Sequence, residues 1–272
     1  MQLEIITMYA VSADFLHAMG EVDNPQAAMT TAEVITTALA AARFFGGCLE
    51  RSRHFLKEHH SIPRMLSKSR LNRRLHAIPE ALWQGLLATI ATAEHTLNTS
   101  NAYIVDSFPV LVCDNIRIRR CRIYREAAYR CYCASKRRYV YGLRAHVVVT
   151  ATGVPVEVVL APASYHDGRI GKTLHLDLPV DATVYADAAY TDYGWEDALA
   201  ETHQLRLHVA RKSTSKRPYP PYGRYLSALT RKRVETTFSQ ITNLLARHIH
   251  AVTPRGFELN IFLSILAFAI CG

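Results

Sequence analysis

Asp106 ends the apolar run Tyr103-Ile104-Val105, and Asp187 ends a second one, Thr183-Val184-Tyr185-Ala186. Tyr, Ile and Val favour a pleated, half-buried surface where Asp is depleted, so each run predicts a strand that delivers a carboxylate at its end. Pro109 is expected to stop the first ladder soon after. A third acid, Glu235, follows apolar Val234 and precedes Phe238 by one helical turn, at the border of a buried helix face. Read structurally, Glu235 is a solvent-facing acid that neutralises Arg231 or Arg233. Read chemically, the three carboxylates form a hard, oxygen-rich set that suits Mg²⁺ or Mn²⁺ rather than zinc. Two such ions about 4 Å apart activate a water or a 3′-hydroxyl and stabilise the leaving oxygen of an in-line phosphodiester displacement. Clustered carboxylates repel one another, so the cations are what keeps all three ionised.

The segments between these acids are basic. From Asp114 to Ala145 there are ten basic residues, among them Lys136, Arg137, Arg138 and Arg144, against two acids. From Arg211 to Arg233 there are eight basic residues and no acid, with Lys212, Lys216, Arg217, Arg231 and Arg233 among them. Tyrosines such as Tyr132 and Tyr139 interleave with the first group and Tyr219 with the second. Cations alternating with rings can track a nucleic-acid backbone and stack on unpaired bases, although tyrosine is as often a half-buried packing residue. A further run, Arg64 to Arg74, carries five basic residues and no acid. Arg73 and Arg74 there are candidate phosphate contacts or part of a solvated helix face.

Net charge +9 over 272 residues favours an acidic partner, with nucleic acid or an anionic membrane surface the usual ones. Hydrophobic residues make up 49% of the chain, enough for a globular core in one large domain or two smaller ones. Met1-Gln2-Leu3-Glu4 lacks the basic start of a secretory leader. The longest apolar run, Ile261 to Ile270, is interrupted by Ser264 and is too short to span a bilayer, so it predicts a buried C-terminal helix. No C-x-x-C pair occurs among the six cysteines, which argues against structural zinc and for reduced thiols inside a cell. Gly-x-Gly and phosphate-loop motifs are absent, so no nucleotide cofactor is expected.

Residues 1–98 read as helical. Leu3 to Met19 form one helix, and Thr30 with Glu33 predicts a capping box for another that ends at Gly46-Gly47. Pro79 suits the first turn of a helix holding Leu82, Leu86, Ile90 and Leu97. From 99 to 272 the pattern changes to short apolar runs. After the Asp106 strand comes a hairpin of Gly142–Thr150 and Val154–Leu160, then a helix from Asp167 to Leu176, the Asp187 strand, a helix from Trp195 to His203 and a fifth strand, Leu205–Val209. Arg211 to Leu226 reads as an exposed loop, followed by a helix through Val234, Phe238, Ile241 and Leu245. Asp167 can cap the helix it begins, and His146 reads as a satisfied core histidine. This order, a mixed five-stranded sheet flanked by helices and preceded by an all-helical region, is that of an α/β ribonuclease H-like catalytic domain.

The chain resembles the DDE transposases of bacterial insertion sequences, most closely the insertion-sequence family labelled nine-eighty-two. The resemblance runs from about Ser67 to the C-terminus. It is carried by Ile104-Val105-Asp106-Ser107-Phe108-Pro109, Tyr132-Cys133-Ala134-Ser135-Lys136-Arg137-Arg138-Tyr139, Tyr141-Gly142-Leu143-Arg144, the stretch Arg231 to Ile241, and His250-Ala251-Val252-Thr253-Pro254-Arg255-Gly256-Phe257-Glu258. It implies that Asp106, Asp187 and Glu235 hold two Mg²⁺ or Mn²⁺ ions. It also implies that the protein hydrolyses DNA at element ends and transfers the exposed 3′-hydroxyl into target DNA, as a homo-oligomer on double-stranded DNA in the bacterial cytoplasm, at the nucleoid. The chain departs from the Y-R-E-K signature of some relatives: Arg231 stands in the Arg place, but Ala228 and Thr242 occupy the Tyr and Lys places. Two other readings share the charge pattern, a nuclease of the same fold without strand transfer and an inactive DNA-binding regulator.

Overall fold

The computed structural model describes residues 1–113, 115–133, 137–211, 215–219, 221–246 and 249–272, leaving aside the side chains of 115, 116, 133, 138 and 221–231. The chain forms two compact units. One comprises Met1–Ile90, Ile241–Ala251 and Arg255–Gly272, the other Ala91–Gln240 and Val252–Pro254. The last helix thus groups with the N-terminal ones, although in sequence it follows the sheet.

In chain order the helices of the N-terminal region are α1 (Gln2–Ala18), α2 (Thr31–Phe44), α3 (Leu49–Glu58), α4 (Lys68–Ala77) and α5 (Glu80–Leu97). The predicted capping box opens α2: the Thr30 hydroxyl accepts from the Glu33 amide at 3.1 Å, and the Glu33 carboxylate accepts from the Thr30 amide at 2.7 Å. Apolar residues then cover most of α2, from Ala32 to Ala42, and bury it within its unit.

The second unit is built on a six-stranded mixed sheet of β1 (Ala102–Leu111), β2 (Arg130–Cys133), β3 (Arg138–Thr150), β4 (Pro155–Pro162), β5 (Thr183–Ala186) and β6 (Arg206–Val209). Between the strands lie α6 (Asp167–Gly171) and α7 (Tyr193–His203), and after them come α8 (Pro221–Leu244) and α9 (Pro254–Cys271). β1 pairs antiparallel with β3 and parallel with β5, β3 pairs antiparallel with both β2 and β4, and β5 pairs parallel with β6. The parallel pair β5 and β6 is joined through α7, as parallel neighbours require a crossover. One face of the sheet is an apolar layer of Tyr103, Val105, Val148, Val184, Ala186, Leu207 and Val209 packed against Leu199, Tyr190 and Leu174.

Four sequence expectations are corrected here. The sheet has a sixth strand, β2, whose residues Arg-Cys-Tyr-Cys show no apolar alternation to reveal it. β1 runs through Pro109 to Leu111, because the amides of its even-numbered residues face β3, as the bonds Val112 N to Tyr141 O and Ala151 N to Ala102 O show. The missing N–H of Pro109 therefore points to the other edge, where β5 has already ended. The helix at Asp167 stops at Gly171 instead of Leu176: Thr173 bonds back to the Ile170 carbonyl at 2.8 Å, and Leu174, Leu176 and Leu178 then meet the core with a spacing of two. Residues 221–226 are helical, with Pro221 in the first turn of α8, where a missing N–H costs nothing.

α9 is longer than its apolar run and is the one single helix among the described residues that is long and apolar enough to cross a membrane. Its residues Phe257, Ile261, Ile265, Leu266 and Ala267 are fully buried.

Glu157 on β4 makes stability depend on pH. Burial raises its pKa to about 7, against the opposing pull of the His175 amide that donates to it at 2.5 Å. A folded value raised above the unfolded 4.5 means that its contribution is full below about pH 4.5 and is lost as pH rises towards 7. Glu157→Gln is expected to flatten the fall in stability across that window and to stabilise the protein at pH 8, by roughly 3 kcal/mol at most. Urea titrations at pH 5 and 8 check this, and equal pH slopes in the two proteins would refute it.

Candidate metal centre

Parallel pairing of β1 with β5 ends with Val105 opposite Ala186; Asp106 is the next residue on β1, and Asp187 is the first residue beyond β5. Side chains alternate along a strand. Val105 and Ala186 therefore point into the apolar layer, and Asp106 points to the opposite face, with Ile104, Phe108, Tyr185 and, across β3, Val147. Asp106 and Asp187 are held locally in the same way: each carboxylate accepts the amide of the following residue, Ser107 at 2.7 Å and Ala188 at 2.5 Å. Asp187 thereby caps the short 3-10 turn Ala188–Tyr190. Both aspartates are half-buried.

Glu235 is exposed on α8. The helix turns Val234, Thr237 and Phe238 inward, and the Phe238 ring lies 4.9 Å from that of Phe108, two residues along β1 from Asp106 on the same face. Arg233 and Thr237 tie the helix to the turn between β3 and β4, donating to the carbonyls of Thr152 and Gly153 at 3.1 Å and 3.3 Å. Gly153 at φ +97° makes that approach possible, since a Cβ there would stand 2.4 Å from the Thr237 hydroxyl. Glu235 is thus on the helix that covers the aspartate face, one turn from the Phe108 contact.

Among the described residues, no three of His, Cys, Asp and Glu are gathered as a metal site. The donor set nevertheless fits a hard divalent ion by its chemistry: one half-buried carboxylate on β1, another directly after the neighbouring β5, and a third, solvent-exposed acid on α8.

Residues 98–270 match the family described as Transposase DDE domain. The chain belongs to this family. Neither curated proteins nor solved structures give a match. DDE transposases bind DNA and generally use divalent metal ions.

The basic residues singled out in the sequence fall into three groups. Arg73, Arg137, Lys216 and Arg233 are exposed, and Arg217 is half exposed in an ion pair with Asp197 at 2.7 Å. Arg74 and Arg144 are engaged inside their units. Arg74 reaches Asp23 at 3.2 Å and the Met29 carbonyl, while Arg144, 22% exposed, pairs with Asp167 at 2.7 Å. Lys136 and Lys212 lie outside the described residues, as do the side chains of Arg138 and Arg231. Asp167 does not cap α6. His166 does, accepting from the Gly168 amide at 3.2 Å, and this leaves Asp167 to Arg144 and the Ser107 hydroxyl.

Sequence reading missed a buried ion pair beside the centre. Arg211, two residues past β6, forms a bidentate pair with Glu196, their side chains 3% and 8% exposed. The guanidinium is flanked by the rings of Tyr193 and Tyr219 at 5.2 and 5.0 Å. Tyr219 stacks on His208 at 4.0 Å. An arginine placed directly after an apolar strand, in a segment rich in tyrosine, was the available signal.

Proposed function

We propose that this transposase cleaves the ends of its element by metal-dependent phosphodiester hydrolysis and then joins the 3′ ends to target DNA. The observation that carries this reading is that Asp106 and Asp187 each follow the last paired residues of the neighbouring strands β1 and β5, Val105 and Ala186, in a chain of the DDE family. The strand order and mixed directions support a ribonuclease H-like fold, and the stretches around Asp106 and Glu235 support the insertion-sequence family labelled nine-eighty-two.

In this reading Asp106, Asp187 and Glu235 hold Mg²⁺ or Mn²⁺, two ions in the full site. The ions would supply a nucleophile at neutral pH and neutralise charge on the leaving oxygen. The oxygen of a water bonds to phosphorus, and the bond to the 3′-oxygen of the element end breaks, leaving a 3′-hydroxyl and a flanking 5′-phosphate. That hydroxyl then attacks a target phosphodiester, forms the new 3′ to 5′ link and releases a target 3′-hydroxyl. The exposed cations Arg73, Arg137, Lys216, Arg217 and Arg233 hold the polyanion by contacts that weaken with salt. Pairing of two DNA ends would be done by a homo-oligomer, on the nucleoid.

A strand-transfer assay tests the proposal. Pre-cut duplex ends with a 3′-hydroxyl, offered with plasmid and Mg²⁺, are expected to give joined products. Cleavage of uncut ends without joining would mark a nuclease of the same fold, and salt-sensitive binding without either reaction would mark a regulator.

A further inference from the structure

Behind Asp106, on the other face of the sheet, a set of polar side chains is buried where the core layer is otherwise apolar. Tyr190 has no exposed surface. Its hydroxyl stands 3.0 Å from Nδ1 of His146, the residue that pairs with Ser107 across β3 and β1. Ser107 Oγ donates to Asp167 Oδ1 at 3.2 Å, and the same oxygen takes Arg144 Nη1 at 2.7 Å. His146 is wholly buried, and its Nε2, 3.9 Å from Asp167, makes no hydrogen bond. Burial lowers the pKa of this ring to about 4, so it is neutral at pH 7. Burial, followed by the charges of Asp167 and Asp106, drives the Tyr190 hydroxyl strongly up, so it keeps its proton.

The attachment points give this cluster its meaning. Ser107 is the residue after Asp106 and faces the opposite side of β1. Tyr190 closes the 3-10 turn that Asp187 opens, its amide donating to the Asp187 carbonyl at 2.9 Å. Through His146, one hydroxyl in a dry interior therefore links the backbone next to Asp106 to the turn next to Asp187. Strand pairing cannot do this, since the pairing of β1 and β5 ends at Val105 and Ala186, one position short of both acids.

We infer that Tyr190 is a positioning residue for the metal centre: through His146, which pairs with Ser107 on β1, its hydroxyl holds the Asp187 turn in step with Asp106, and so sets the spacing of the two carboxylates. Asp167 and Arg144 complete the link as a charged anchor on the far face rather than as metal or DNA ligands. The inference rests on the assignment of Asp106 and Asp187 as ligands.

Tyr190→Phe keeps the ring packing and removes only the hydroxyl. In the full-length protein, Mn²⁺ affinity read by electron paramagnetic resonance is expected to fall about tenfold, the scale found when a partner behind a metal ligand is lost. The Mg²⁺ concentration that half-saturates DNA cleavage should rise in step, and saturating Mg²⁺ should restore the rate. Leu207→Ala, a core truncation in the same layer, is the control for stability: it should lower Tm and leave Mn²⁺ affinity unchanged. A Tyr190→Phe protein with lowered Tm and unaltered Mn²⁺ affinity would overturn the inference. If that variant does not fold, His146→Phe reads the same link from β3, with weakened Mn²⁺ binding expected and unaltered binding overturning it. Asp106→Asn and Asp187→Asn separate the two readings. If either leaves Mn²⁺ binding intact, the ligand assignment fails and this inference with it; if both abolish binding while Tyr190→Phe does not alter it, this inference alone fails.

Discussion

Asp106→Asn is expected to reduce metal-dependent DNA cleavage by about three orders of magnitude or more while DNA affinity stays within about twofold of the wild type. The change replaces a charged oxygen with an amide nitrogen and keeps one carbonyl oxygen. That oxygen can still accept from the Ser107 amide, which Asp106 does now at 2.7 Å, so the local turn keeps its hydrogen bond and the variant should fold. What is lost is negative charge at the proposed metal ligand. Charge stabilisation by a bound ion is worth several kcal/mol in the transition state. At about 1.4 kcal/mol per tenfold change in rate, weakening one such ion accounts for the stated loss. In the proposed reading DNA affinity comes from the exposed cations, so its salt dependence should not change, and removing one negative charge can only favour the polyanion. Cleavage of a labelled element-end duplex and fluorescence anisotropy at several salt concentrations measure the two effects. A variant that retains cleavage within tenfold of the wild type would show that Asp106 is not a ligand.

The two strands that lead to the acids were legible from their local pattern. An Asp after Tyr103-Ile104-Val105, and another after Thr183-Val184-Tyr185-Ala186, marks the ends of runs that the structure forms as β1 through Val105 and as β5, paired in parallel. Helix starts were legible for a similar reason, since Thr30 and Glu33 satisfy each other's backbone amides within four residues. Signals that act over a few residues survive in a sequence read alone.

Long-range partners did not survive in the same way. The sixth strand, β2, is held by pairing with β3 and not by its own pattern, so Arg130–Cys133 gave no sign of it. Arg144 looked like one more cation in a basic run, but its partner, Asp167, lies across the β3 to β4 hairpin. His146 was placed in the core as expected, yet its contact with Tyr190 bridges 44 positions of sequence. Even the length of β1 depended on which edge of the strand has a neighbour, which decides whether Pro109 breaks a ladder. In each case the deciding fact is a partner far away in sequence.

Glu196→Ala should destabilise the sheet unit by about 3 to 5 kcal/mol, the scale for removing one member of a buried ion pair. Arg211 is left with its guanidinium between two tyrosine rings and its side chain 3% exposed, so water cannot replace the carboxylate without opening the site. The carboxylate's hydrogen bonds are the main reason why the Arg211 pKa is raised. For a unit of this size the cost corresponds to a fall in Tm of roughly 10 °C. The effect reaches the candidate site because the Ala210 amide bonds to the Ala186 carbonyl, which places the chain leaving β6 beside Asp187. From there the segment carrying Lys216 and Arg217 departs, held to α7 by Tyr193 and Asp197. Loosening its root should therefore weaken DNA binding as well as stability. A double variant with methionine at both 196 and 211 removes the stranded charge and should recover most of the Tm, since an apolar pair of similar volume is often as stable as a buried ion pair. DNA affinity should not recover, because the segment has lost its anchor. Scanning calorimetry and anisotropy on the single and double variants measure both. A Glu196→Ala protein whose Tm moves no more than that of a surface substitution would show that Arg211 reaches water in the folded state, and the anchoring argument would fall.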